Sequence, residues 1–436
     1  MKEEEKVSKR QLILVGIAVL LTGILLIVKP SHSVFQVNKT INIMDAKVGD
    51  FGSFSCQKEG ITNLKDCILE SNGGVSDIKA KGDPTLNKSA VSQQYYDNLD
   101  LSLKPYAVVE NGIWAMEDEY GTSYYYRGGY DVVNNNVIFA GFQWKVIRIN
   151  GDNSIRLIYN GTCPGNVVPC NGIGTNTLGY NCHIPIGAWN TTNYNDAKYV
   201  GYMYGGPNGV ASTSYAQATQ SIKGVSTSSN AKTVLESWYA TNLLSQGNSI
   251  TDKVVDNLFC NDRKPSSTYP MVDYIGGYGS IDTYYAANFR NGLYGVKTSL
   301  LCQNAHPSVT LTNDQFTVSQ ITYNHPTTGS KTVGNGALTY PIGTLTQDEI
   351  ELAGGSPTGL SNQNFYLYTN IRYLTMSPYR MRSGTAFIIY FGNDAASGNA
   401  GGVNGGPNIR PVINLSPTVE ISSGDGSLTN PFLIAP

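Results

Sequence analysis

The strongest constraint on this chain is an alternation of side chains. Phe142, Trp144 and Val146 alternate with Gln143, Lys145 and Ile147 in a run dominated by β-branched and aromatic residues. A period of two belongs to a strand that buries one face. Asn150-Gly151 follows, a dipeptide suited to reversing a hairpin, and Ile155 to Tyr159 resumes the strand pattern. Upstream, Tyr120 to Arg127 and an Asn-rich turn at Asn134 to Asn136 lead into the same run. The stretch from Tyr120 to Tyr159 therefore predicts a long hairpin that opens a domain core, with Trp144 buried and the Asn150-Gly151 turn setting the register. It contains no catalytic motif.

A chain of 436 residues with this pattern has room for one large domain or two. Only 14% of its residues are charged, whereas it has 47 glycines and 29 tyrosines, so its surface polarity must come from Asn, Ser, Thr and Tyr. That composition suits an extracellular protein rich in loops. The formal net charge of -2 supplies no basic stripe, which argues against a nucleic-acid partner.

The seven cysteines fall at Cys56, Cys67, Cys163, Cys170, Cys182, Cys260 and Cys302, and none forms a Cys-x-x-Cys pair. With only four histidines, no zinc spacing is present, so disulfides in an oxidising compartment are expected and no metal or cofactor is assigned. The expected pairs are Cys56 with Cys67 and Cys260 with Cys302. Two of Cys163, Cys170 and Cys182 would then pair, leaving one thiol open among the three. Cys182-His183 places a thiol next to an imidazole, but neighbouring residues in a strand point apart, so the two are not expected to meet.

Residues 1–10 form a polar tail carrying Lys2, Lys6, Lys9 and Arg10, and Gln11 to Val28 is uncharged. At about 1.5 Å per residue that segment is just long enough for a hydrocarbon core of about 30 Å. The basic tail places the N-terminus inside the cell membrane and the bulk of the chain outside. A cleaved signal peptide is the rival reading, but residues 11–28 are longer than a usual signal core, which favours a retained transmembrane anchor. Residues 29–118 read as a stalk or small cap, and residues 119–436 as the extracellular domain. Within it, the tyrosines around Val200 to Gly205 read as packing a loop onto the domain. Ser229 to Ser245 carries Val234, Leu235, Trp238 and Leu243 at helical spacing behind a Ser N-cap. Thr346 and Glu349 fit a capping box that starts a short helix. Phe365 to Leu374, Ala386 to Phe391 and Ile409 to Leu415 are strand-like, and Gly424 to Ile434 reads as a turn and final strand rather than a calcium loop.

Seven segments occur in a fixed order: Met116 to Arg127, Phe139 to Gly151, Val200 to Gly205, Phe259 to Arg263, Gly334 to Pro341, Thr375 to Pro378 and Ile409 to Leu415. Together they resemble a family of membrane-anchored or secreted surface proteins of Gram-positive gut bacteria, over roughly Glu117 to Pro436. That family in turn resembles domains of the C-type-lectin-like fold, including the formylglycine-generating-enzyme type, through Trp238, Met376-Ser377-Pro378 and Arg410-Pro411-Val412. Met376 stands here where such domains often carry Trp. The resemblance implies an α+β, C-type-lectin-like domain with few helices and twisted antiparallel strands.

Three functions compete. The favoured one is a surface-displayed binding or adhesion module with an extracellular glycan or protein as ligand. Its candidate ligand residues are Tyr379, Arg380, Arg382, Tyr390, Asn393, Asp394 and Asn404, since Tyr and Arg anchor binding surfaces and Asn supplies adaptable hydrogen bonds. A structural subunit of a surface filament or spike is the alternative. An enzyme of the formylglycine-generating type would need Cys260 and Cys302 as reactive thiols, and no Gly-x-Ser-x-Gly, His-Glu-x-x-His or phosphate-binding loop is present, so no catalytic residue is assigned.

Overall fold

The architecture is seen in a computed structural model. It describes residues 56–57, 59–72, 74, 111–130, 132–162, 182–190, 200–205, 217, 220–264, 283–287, 298–303, 311–355, 365–369, 371–382, 385–391, 399–406 and 408–436. The chain divides into two units, Met1–Ser53 and Phe54–Pro436, and all of the described residues belong to the second. The expected transmembrane segment, residues 11–28, lies outside them. Among the described residues no helix is long and apolar enough to cross a membrane.

The described part is a mixed α+β structure dominated by antiparallel strands, with few helices. Its main sheet is built around β4 (Phe142–Ile149), the alternating run of the sequence. The strand β5 (Ile155–Thr162) runs antiparallel along it, while β3 (Asn136–Phe139) pairs with Phe142 to Lys145 and β2 (Gly121–Arg127) with Arg148 and Ile149. A first hairpin joins β1 (Gly112–Asp118) to β2, so the domain's opening strand begins ahead of the expected boundary at residue 119. The C-terminal strand Phe432–Ile434 pairs in parallel with β3, and Val412–Leu415 pairs with β5. The two ends of the domain are thus closed against its central hairpin.

Trp144 is 1% exposed, as the alternation predicts, and its indole N–H donates to the Phe139 carbonyl at 3.0 Å. Its ring meets Tyr159 and Trp238 edge-on at 5.7 and 6.1 Å, and Phe142 lies 5.6 Å from Trp238. Trp238 comes from helix α2 (Asn230–Asn242), capped by Ser229, whose hydroxyl accepts the Lys232 N–H. This aromatic cluster joins helix to sheet and places α2 over the outer end of the β4–β5 hairpin.

Part of the segment expected to be a stalk or small cap packs into the domain core. Helix α1 (Leu64–Ser71) buries Leu64, Cys67 and Ile68 in the main core, held by the Cys56–Cys67 disulfide. The Thr62 carbonyl accepts from Ile421 N and the Leu64 N–H donates to Val419 O, which ties α1 to the C-terminal strands. The Cys260–Cys302 disulfide is also present, as expected. Tyr202 and Tyr204 are buried, Tyr202 packing edge-on against Phe316 at 5.1 Å. Helix α3 (Gln347–Leu352) carries the expected capping box of Thr346 and Glu349. The terminal turn closes on itself, since the Asp425 carboxylate accepts the Ser427 N–H at 2.9 Å.

The β4–β5 turn sits where Asn150-Gly151 placed it but is wider than a two-residue reversal. Asn150 N–H donates to Ser154 O and Asn153 N–H to Asn150 O, and the left-handed residue is Asn153, with φ of 69°. Asn adopts that conformation more readily than other residues with a Cβ.

Candidate functional site

A second, four-stranded sheet carries most of the described ligand candidates. It runs in the order Thr283–Tyr284, Tyr373–Arg382, Thr385–Phe391, Asn399–Gly402, all antiparallel. Its registers align four residues in one cross-strand row: Tyr284 opposite Arg380, Arg380 opposite Phe387, and Phe387 opposite Gly402. Arg380 occupies the middle of that row. Its guanidinium carbon lies 4.8 Å from the Phe387 ring centre, 4.9 Å from Tyr379 and 5.8 Å from Tyr284. Three rings therefore surround one guanidinium, an arrangement that cation–π attraction favours. Its Nε has no hydrogen-bond partner among the described residues. Beyond Phe387 the row ends on Gly402, where a side chain would run into the Asn404 Oδ1, 2.7 Å from the place of a Cβ. Asn404 itself is exposed, in a turn closed by Gly405 N–H donating to Gly402 O.

The strand period divides the remaining candidates. Ile388 is fully buried in the main core, so its neighbour Phe387 faces the other way, and Tyr390, two residues on, shares the core side. Tyr390 is half-buried against that core, over Gly401, with the exposed Arg372 stacked on it at 4.9 Å. Tyr379 is likewise half-buried against the core and also flanks Arg380. The sequence grouped Tyr379, Arg380 and Tyr390 together. The sheet brings together Tyr379 and Arg380 and turns Tyr390 to the opposite face. Arg382 ends its strand opposite Thr385. Asn393 and Asp394 lie outside the described residues. Tyr284 and Phe387 were missed, and no local signal marks Tyr284, because its place beside Arg380 is set by a pairing across about a hundred residues of chain.

A concave site lies elsewhere, at the tips of the main-sheet hairpins, with a volume of about 480 Å³ including its open mouth. It is lined by Asp118, Glu119, Arg148, Arg156, Asp348 and Glu349, with one wall formed by Cys260 of the disulfide. Most of its charge is spent internally. Arg148 bridges Asp118 at 3.2 Å and Glu349 at 3.4 Å, and Arg156 also binds Glu349. Burial raises the Asp118 carboxyl, with Arg148 opposing, and burial likewise raises Glu119. For Glu349, burial works upward too, but Arg156 and Arg148 outweigh it and hold the carboxyl below its ordinary value. The capping residue of α3 is thus also the anion that neutralises two buried guanidinium groups. Among the described residues the cleft's lining includes no histidine and no free cysteine.

Cys182 and His183 contradict the expectation drawn from a strand. They precede the short strand Ile184–Pro185 rather than lying in it, and the thiol reaches the His183 Nδ1 at 3.2 Å. Thr369 donates its hydroxyl proton to Ile371 O, so His183 Nε2 donates to Thr369 Oγ1 at 2.9 Å and Nδ1 is left as the acceptor for the thiol. The pair is nonetheless uncharged. Burial and the nearby Arg410 bring His183 down to about 3, and burial pushes the Cys182 thiol up. A neutral thiol beside so weak a base is not the thiolate–imidazolium pair of a nucleophilic site. Cys182 is the free cysteine among the described residues, while Cys163 and Cys170 lie outside them. No protein-family model, curated protein or solved structure matches this chain.

Proposed function

We propose that this chain is a surface-displayed binding or adhesion module, held in the cell membrane through residues 11–28, with a C-type-lectin-like domain outside the cell. The strand-rich α+β architecture is compatible with that fold, and the two disulfides suit an oxidising exterior. One observation carries the binding reading: Arg380 is clamped by Tyr284, Tyr379 and Phe387 in a cross-strand row and has no carboxylate partner among the described residues. A guanidinium held in this way has lost its rotamer freedom before any ligand arrives, which is the property of a binding anchor. Its natural complement is a carboxylate. The ligand is therefore an extracellular glycan or protein that presents carboxylate groups, with Asn404 beside it as a hydrogen-bonding residue.

The reading assigns no catalysis. It is tested by probing an array of glycans and proteins with the full-length protein. Signals concentrated on carboxylate-bearing ligands support it, and binding confined to neutral ligands contradicts it.

A further inference from the structure

Lys145 is a charged residue type at a position where the fold offers no water. It is fully buried, in β4, directly opposite Asn136 of β3. Among the described residues its one hydrogen-bond partner is the Asn136 Oδ1, at 2.8 Å. Asn136 is itself buried, and its amide nitrogen donates to the Gly426 carbonyl at 2.9 Å. That second bond fixes the orientation of the carboxamide, so its carbonyl, and not its NH₂, faces the amine. The backbone holds both residues from the adjacent position, since Val146 N–H donates to Asn135 O and the Asn135 side chain donates back to Val146 O. Amine and carboxamide are thus pinned together in a dry site.

We propose that Lys145 and Asn136 are joined by an intramolecular isopeptide bond. The Lys145 Nζ lone pair attacks the Asn136 Cγ, a C–N bond forms, and the bond from Cγ to Nδ2 breaks. The amide nitrogen leaves as ammonia, carrying a proton given up by Nζ. No oxidant, reductant or co-substrate enters, and atoms balance as amine plus carboxamide giving secondary amide plus ammonia. The reaction needs the amine unprotonated. Burial brings the Lys145 amine down to about 7, with the Arg410 charge acting in the same direction and Cys182 against it. A water-excluded amine of that basicity is a nucleophile at neutral pH. A bond here would lock β3 to β4 next to the point where the C-terminal strand joins the sheet, a covalent staple suited to a protein that bears load or meets proteases outside the cell.

The test is the intact mass of the full-length protein after denaturation, reduction and alkylation. The bonded protein is about 17 Da lighter than its fully alkylated sequence, the mass of one ammonia. A proteolytic digest yields a branched peptide joining the segments that contain Asn136 and Lys145. Asn136→Ala and Lys145→Met each restore the full mass, whether or not the variant folds. Either of two results overturns the proposal: a wild-type mass equal to that of the fully alkylated sequence, or a deficit that maps to a succinimide at one of the Asn-Gly pairs, such as Asn150-Gly151 or Asn160-Gly161.

Discussion

Asp118 ties the tips of two hairpins together by accepting the backbone N–H of Gly151. Its Oδ2 takes that bond at 3.0 Å, while its Oδ1 accepts from Tyr120 N at 2.8 Å and Gly121 N at 3.2 Å. One buried carboxylate thus fastens the β1–β2 turn to the β4–β5 turn and, through Arg148, to helix α3. The contact requires a glycine. A Cβ on Gly151 would lie 2.4 Å from Gly121 N and 2.6 Å from the Asp118 Oδ1. Gly151 is therefore needed for close approach, whereas the positive φ of the turn belongs to Asn153.

Gly151→Ala should accordingly cost about 2–4 kcal/mol, because rigid backbone has to move. Asn153→Gly, two residues on, should change stability by no more than about 0.5–1 kcal/mol, since glycine adopts φ of 69° freely. Chemical denaturation of the two variants checks the contrast.

The pairing of Glu349 with Arg148 and Arg156 makes stability depend on pH in a defined direction. The folded carboxyl lies below its ordinary value of 4.5. Its contribution is therefore complete above pH 4.5 and is lost as the pH falls through the folded value. Glu349→Gln leaves two buried guanidinium groups short of an anion and should cost about 3–5 kcal/mol at pH 7. The gap between wild type and variant should hold down to about pH 5 and close below it. Asp118 and Glu119 act in the opposite sense, because burial raises them and protonation favours the folded state, but they are common to both proteins. Denaturant melts from pH 7 to pH 3 measure the gap.

Trp144→Ala should destabilise the fold by about 3–5 kcal/mol, the cost of emptying a core aromatic site. It removes the edge contacts to Tyr159 and Trp238 and the hydrogen bond to Phe139 O, so near-ultraviolet circular dichroism should lose intensity together with stability.

Cys182 should resist a thiol reagent in the folded protein and react once the chain is denatured. It is 1% exposed and its thiol is held protonated by burial. His183, held at about 3, should show no titration of its ring resonances between pH 5 and 8. Rapid labelling of Cys182 in the native state would contradict the neutral pair.

The sequence was most legible where the interactions that set structure are local. The alternation through Phe142 to Val146, the Ser229 cap and the Thr346–Glu349 box each mark their element, because a strand face or helix end is decided by residues a few places apart. What stayed hidden depends on distant pairing. Nothing near Glu349 shows that its carboxylate also serves Arg148 and Arg156, some two hundred residues earlier. The strand rule misplaced Cys182 and His183 because it presumed a strand that begins only at Ile184. At the candidate site, Arg380 was visible as a residue type, but its neighbours Tyr284 and Phe387 became neighbours only through sheet register. Tyr390 was grouped with it by proximity in sequence, and the period of the strand separates them.

The central claim rests on Arg380, and the most direct measurement compares binding to a carboxylated polysaccharide with binding to the same polymer after its carboxyl groups are reduced. Wild type should prefer the carboxylated form by about tenfold or more, the value of a charge-assisted anchor worth about 1.4 kcal/mol or more. Arg380→Ala should lose that preference while remaining folded, with a melting temperature lowered by the loss of its ring contacts, and Arg380→Lys should recover only part of the preference, since an ammonium lacks the planar, two-pronged donor set of the guanidinium among Tyr284, Tyr379 and Phe387. Equal binding of the two polymers by wild type, or undiminished preference in a folded Arg380→Ala protein, would contradict the account.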